Sequence, residues 1–82
     1  MEIKIIGKEI PEYISKHQLQ KKWDKTLALF STHPTHRSLN IELLEPKHRG
    51  IYSFRVDRKF RALFTVRGGD CYVFKVTNHY KK

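Results

Sequence analysis

Three segments rich in Tyr, Phe and Val crowd the end of the chain with almost nothing between them. They are Ile51 to Val56, Phe60 to Val66 and Cys71 to Asn78, and only Asp57-Arg58-Lys59 and Arg67-Gly68-Gly69-Asp70 separate them. Aromatic and β-branched side chains suit a pleated, half-buried surface. Gaps this short have room for hairpin turns and not for crossovers, so consecutive strands must run antiparallel. Ahead of them Leu39, Ile41 and Leu43 alternate with Asn40, Glu42 and Leu44, which predicts a further strand before the polar loop from Pro46 to Gly50.

The first half has a different period. Met1 to Ile6 is isoleucine-rich and reads as a strand ended by Gly7. Helical spacing then runs from about Pro11 to Phe30, with Ile10, Tyr13, Ile14 and His17 on one stripe and Leu19, Trp23, Leu27 and Phe30 on another. Proline suits a first helical turn, where its missing N–H costs nothing. The stripe changes face near Lys16 to Gln20, which predicts two short helices or one kinked helix. Pro34 closes the helical region by restricting the residue before it. The expected architecture is α+β: an N-terminal strand, then helices packed on a C-terminal antiparallel β-meander, with residues 1–82 forming one domain.

Strand parity sorts the side chains, because alternate residues point to opposite faces. Tyr52, Phe54 and Val56 form one set, as do Ala62, Phe64 and Val66, and Tyr72, Phe74 and Val76. These sets should pack on the helices, leaving an open face that carries Arg55, Arg61, Lys75 and His79. Register decides whether the last strand joins this scheme. A turn with an odd number of residues groups Phe64 with Phe74. A two-residue Gly68-Gly69 turn pairs Phe64 with Val73 and sets His79 on the opposite side from Arg61. The odd turn is preferred because it buries the larger aromatic set.

Charge gives this face a purpose. Seventeen Lys and Arg stand against eight Asp and Glu, a net +9 with neutral histidines. Such an excess raises self-repulsion and points to a polyanionic partner. The aromatic residues lie in strand-like runs, which disfavours an amphipathic membrane helix. No segment is apolar enough to span a membrane, and the N-terminus lacks a signal-peptide pattern. The lone Cys71 makes no internal disulfide and fits a reducing, cytoplasmic setting; it reads as a small strand residue rather than a nucleophile. His33 and His36 have no Cys or Asp at ligand spacing, so no metal site is expected and no cofactor is implied. Arginine forks suit phosphate oxygens, and a histidine beside them can transfer a proton near neutral pH. A site with phosphate clamps and a proton donor can cleave RNA; the same face also reads as solvated charge or as a docking surface for an acidic protein.

The stretches Leu39-Asn40-Ile41-Glu42-Leu43-Leu44, Gly50-Ile51-Tyr52-Ser53-Phe54-Arg55-Val56 and Phe60-Arg61-Ala62-Leu63-Phe64 resemble the RelE/ParE toxin superfamily. The ending, Phe74 through Asn78-His79-Tyr80, is similar to its YoeB branch, whose chains close on a His-Tyr pair. The resemblance covers nearly the whole chain. It implies a RelE-like fold and the toxin of a type II toxin–antitoxin pair, acting as an mRNA interferase that cuts mRNA in the A site of the 70S ribosome and so inhibits translation. It also implies roles. Arg61 stabilises charge on the scissile phosphate, His79 is the general acid, Tyr80 stands beside it, and Glu42 is the general base, with Glu45 competing if loop lengths differ. Arg55 and Lys75 on the sheet and Lys47, His48 and Arg49 in the loop would contact RNA. The implied partner is an acidic antitoxin, partly disordered alone, in a hetero-oligomeric complex with the toxin. Three other readings stand beside it: a ParE-like toxin that keeps the fold and inhibits DNA gyrase without cleaving RNA, against which Arg61 and the His-Tyr ending argue; a basic RNA-binding module with no catalysis; and a degenerate toxin that keeps only its antitoxin binding.

Overall fold

The computed structural model describes residues 1–78. Ile3–Ile5 forms a short strand, β1, and Gly7 leads into the first helix, α1 (Glu9–Lys16). This helix starts two residues before Pro11, which therefore sits inside the first turn, where no N–H is needed. Glu9 and Glu12 in that turn favour the positive end of the helix. Ile10 and Ile14, one turn apart, are the residues it buries. Tyr13 and His17 stack at 4.1 Å on its flank and meet the edge of the Phe60 ring.

The change of stripe near Lys16 is a true break. Gln18 takes a left-handed conformation (φ 55°), and a second helix, α2 (Gln20–Thr32), begins after it. Its buried face carries Trp23 and Phe30, which stack or tilt against Phe54, with Phe30 reaching Phe64 as well. The strand expected over Leu39 to Leu44 is much shorter. Arg37–Leu39 is a 3-10 turn that buries Leu39, Asn40 is left-handed (φ 45°), and only Glu42–Leu43 pairs as a strand, β2. Asparagine tolerates that conformation, so the chain can turn there before entering the sheet.

The meander then follows as β3 (Tyr52–Arg55), β4 (Arg61–Arg67) and β5 (Asp70–Thr77). The sheet order is β1-β5-β4-β3-β2, with β1 parallel to β5 and every other pair antiparallel. The helices and the rest of the chain supply the long connection that a parallel pair requires. The result is α+β, as expected from the sequence. Asp57 shapes the β3–β4 turn by accepting the backbone N–H groups of Lys59 and Phe60 at 2.8 and 3.0 Å.

The register of the last hairpin corrects the preference for an odd turn. Arg67 pairs with Asp70 across Gly68 and Gly69, and Phe64 pairs with Val73. Both glycines have positive φ (57° and 83°), the requirement of the two-residue turn that matches strand twist. The register then shifts, so that Leu63 pairs with Lys75 and Phe74 is left as a bulged residue. Before the bulge Cys71 and Val73 point into the core; after it Val76 does. Tyr72 and Phe74, expected in the core, are only half-buried. From Lys75 onward, however, the pairing is the one an odd turn would have given.

Candidate active site

On the open face of the sheet two cross-strand rows lie side by side. Arg55, Arg61 and Thr77 are directly paired in one; Glu42, Ser53, Leu63 and Lys75 make up the other. Residues paired in this way share a face. The bulge therefore brings Lys75 and Thr77, rather than their neighbours, to the side that holds Arg61.

Arg61 is the centre of the arrangement. Only 8% of it is exposed, although it lies on the face away from the helices. Its Nε donates to Ser53 Oγ at 2.9 Å, and its Nη2 donates to the carbonyls of Asn40 and Ser53. The Glu42 carboxylate lies 3.5 Å from the same Nη2. Each partner follows from local structure. Ser53 is small and fully buried, and its place beside the Arg55–Arg61 row lets its hydroxyl meet the guanidinium. The left-handed turn at Asn40 aims a carbonyl at the same group. Glu42 enters as the strand partner of Ser53. A guanidinium held by several acceptors is fixed in position as well as in charge.

Arg55 stands directly across from Arg61 and is exposed. Like charges in that position repel. Glu42 offsets part of this at Arg61, and an anion between the two strands would relieve the rest. The face thus offers a fixed arginine, an exposed one, a carboxylate and an exposed lysine, Lys75, within neighbouring rows.

The other sequence-derived residues are placed less closely. Lys47, His48 and Arg49 form an exposed 3-10 turn between β2 and β3, at the Tyr52 end of β3. Arg61 faces the opposite end of that strand, about 10 Å away at the usual rise per residue. Glu45 sits in the same loop, beyond β2, while Glu42 is the carboxylate beside Arg61. His79 and Tyr80 lie outside the described residues. Among the described residues no group of three His, Cys, Asp or Glu is placed to hold a metal ion. Burial, together with the negative charge of Asp70, pushes the Cys71 thiol above its usual pKa, which disfavours the reactive thiolate.

No protein-family model and no curated protein matches the chain. Solved structures do. A YoeB/ParE toxin from Agrobacterium tumefaciens superposes with a TM-score of 0.74 at 17% identity, over 98% of this chain and 100% of that one. YafQ from E. coli strain BL21(DE3) gives 0.75 at 11% identity, covering 95% and 92%. The toxin in the heterotetrameric YoeB-YefM toxin-antitoxin complex from Staphylococcus aureus gives 0.69 at 20%, over 98% of both chains. The chain has the fold of the YoeB and YafQ toxins. The resemblance drawn from its strand motifs is thereby borne out for the architecture.

Within this toxin fold two residues belong to the site that motif reading did not assign to it, Ser53 and Asn40. Strand parity already placed Ser53 on the face of Arg55. A small hydroxyl residue between Tyr52 and Phe54 leaves room on that face, but nothing in the sequence says which group fills it. Asn40 contributes only its backbone carbonyl, and its side-chain type carries no hint of that beyond a tolerance for left-handed turns.

Proposed function

We propose that this chain is the toxin of a type II toxin–antitoxin pair and acts as a ribosome-dependent endoribonuclease on mRNA. The observation that carries the reading is the immobilised Arg61, bound by Ser53, Asn40 and Glu42 and set directly across from Arg55. Glu42 takes the proton from a ribose 2′-OH, a group that DNA lacks. The 2′-oxygen attacks phosphorus and the bond to the 5′-oxygen breaks. Arg61 and Arg55 hold the phosphate oxygens on which charge accumulates. His79 protonates the departing 5′-oxygen, and Tyr80 stacks on a base. Lys75 and the Lys47-His48-Arg49 loop bind flanking RNA, and every step proceeds without a metal.

The partner is an acidic antitoxin that covers the cationic face and orders as it binds. Support for an antitoxin partner comes from the similar folds found in YoeB-YefM and DinJ-YafQ toxin-antitoxin complexes. Purified chain added to a translating extract should cut mRNA near the ribosomal A site, and an Arg61→Ala/His79→Ala variant should not. Equal cutting by that variant would reject the site assignment. Inhibition of gyrase supercoiling with mRNA left intact would reject RNA cleavage altogether.

A further inference from the structure

A second cationic feature extends beyond the rows just described. α2 and the β3–β4 turn enclose an open cavity of about 670 Å³ whose wall carries Lys22, Lys25, Arg55, Arg58 and Lys59 against a single carboxylate, Asp57. Asp57 is already engaged. Its Oδ2 lies 3.0 Å from Lys22 Nζ, and its Oδ1 accepts two backbone N–H groups of the turn. Burial works against its charge, but the Lys59 and Phe60 amides and the Lys22 ammonium outweigh this and hold its pKa below the ordinary value. Lys22 and Asp57 therefore neutralise one another. Lys25, Arg55, Arg58 and Lys59 remain, all exposed, around one concavity.

Two observations narrow the occupant. First, the wall offers little to an apolar anchor. Leu39 and Val56 are buried, so only Leu29 presents apolar side chain beyond the lysine and arginine stems. Amphipathic peptides dock by a row of apolar anchors set into a groove, whereas here one leucine stands among cationic side chains. Second, Arg55 belongs to both places. It lines the cavity and it pairs across the sheet with Arg61. Arg55 thus links the row that holds Arg61 to the half of α2 that carries Lys22 and Lys25.

We infer that this cavity is a binding site for the phosphodiester backbone of RNA, holding phosphates of the strand that runs away from Arg61. The choice of RNA as the polyanion rests on the proposed function; the cationic cavity itself does not. Arginine supplies planar forks and lysine supplies point charges, and both suit phosphate oxygens.

The test uses the full chain and an uncleavable probe, a single-stranded 2′-O-methyl RNA of about 12 nucleotides. Binding is followed by fluorescence anisotropy across a salt series. The triple variant Lys25→Ser/Arg58→Ser/Lys59→Ser changes only exposed side chains, and circular dichroism confirms that it is folded. Losing three phosphate contacts on a single strand should make the slope of log K against log salt shallower by about 2, or roughly 100-fold weaker binding at 0.1 M salt if the curves converge at 1 M. The charge-preserving Lys25→Arg/Lys59→Arg variant should keep the wild-type slope. An unchanged slope and affinity in the triple variant would overturn the inference, even if the chain cleaves mRNA. So would a loss confined to an oligoglutamate probe of equal charge, which would assign the cavity to an acidic protein. A chain that cuts no mRNA but shows the shallower slope would reject the proposed activity and sustain the cavity as an RNA site.

Discussion

Ser53→Ala isolates what fixes Arg61. The hydroxyl of Ser53 is fully buried and accepts from Arg61 Nε at 2.9 Å, beneath a guanidinium that is itself almost entirely covered. Alanine removes that acceptor and leaves a charged donor with one partner fewer in a place water scarcely reaches. Hydrogen bonds to charged groups contribute about 1.5–3 kcal/mol. For a domain of this size each kcal/mol moves the midpoint by roughly 4–8 °C, so thermal denaturation should show a drop on the order of 10 °C. The effect on chemistry follows from position. A guanidinium displaced by about 1 Å can cost on the order of 100-fold in rate. Single-turnover cutting of mRNA on programmed ribosomes, measured well below both midpoints, should therefore fall by roughly ten- to 100-fold. The same substitution added to Arg61→Ala should cost nothing further in rate, because Ser53 acts through Arg61. A wild-type rate and midpoint for Ser53→Ala would refute the reasoning. A full additional loss on top of Arg61→Ala would show that Ser53 works by another route.

Other expectations follow from the same geometry. Glu42→Gln keeps the size of the residue beside Arg61 and removes its basicity, so single-turnover cutting should fall by about 10²–10⁴-fold while binding of uncleavable RNA holds or improves. Asp57→Ala removes the acceptor for two backbone N–H groups and should cost about 1–2 kcal/mol in urea denaturation at pH 7. Because the folded-state pKa of Asp57 is depressed, its charge-dependent contribution is complete above the unfolded value near 3.8 and fades as pH falls through the lower folded one, so the gap to wild type should narrow below that pH. At the hairpin tip a Cβ on Gly69 meets nothing within 4 Å, so Gly69→Ala should cost only the conformational strain of φ 83°, about 1–2 kcal/mol. Asparagine at Gly68 should cost less, and paired thermal melts of the two variants would check the difference.

Much of this arrangement was legible because β-structure has a period of two. Counting along β3 and β4 was enough to put Arg55 and Arg61 on one face and Phe54, Ala62 and Phe64 on the other. The break between helices was legible too, from the change of stripe near Lys16. Parity failed where the ladder is irregular. No composition signal marks Phe74 as the residue left over, because a bulge is decided by how the two strands fit and not by the bulged side chain. The parallel pairing of β1 with β5 is likewise a tertiary fact, since neither strand encodes its neighbour. Ser53 and Asn40 were missed as site residues because each is defined by what approaches it. A buried serine and a left-handed asparagine acquire meaning only once a guanidinium from β4 reaches them. The cavity beside α2 joins residues far apart in the chain, so no local pattern groups its charges, and only the fold closes them around one space.

The bulge at Phe74 has a consequence for how this hairpin can vary. Loop length and bulge each shift the strand frame by one residue, and the site depends only on their sum. A three-residue tip without a bulge would present Lys75 and Thr77 beside Leu63 and Arg61 in the same way that a two-residue tip with one does. The tip and the functional end are therefore mechanically geared through a single adjustable step. Insertions and deletions at the glycines can be absorbed within a few residues, and the row that holds Arg61 stays in phase.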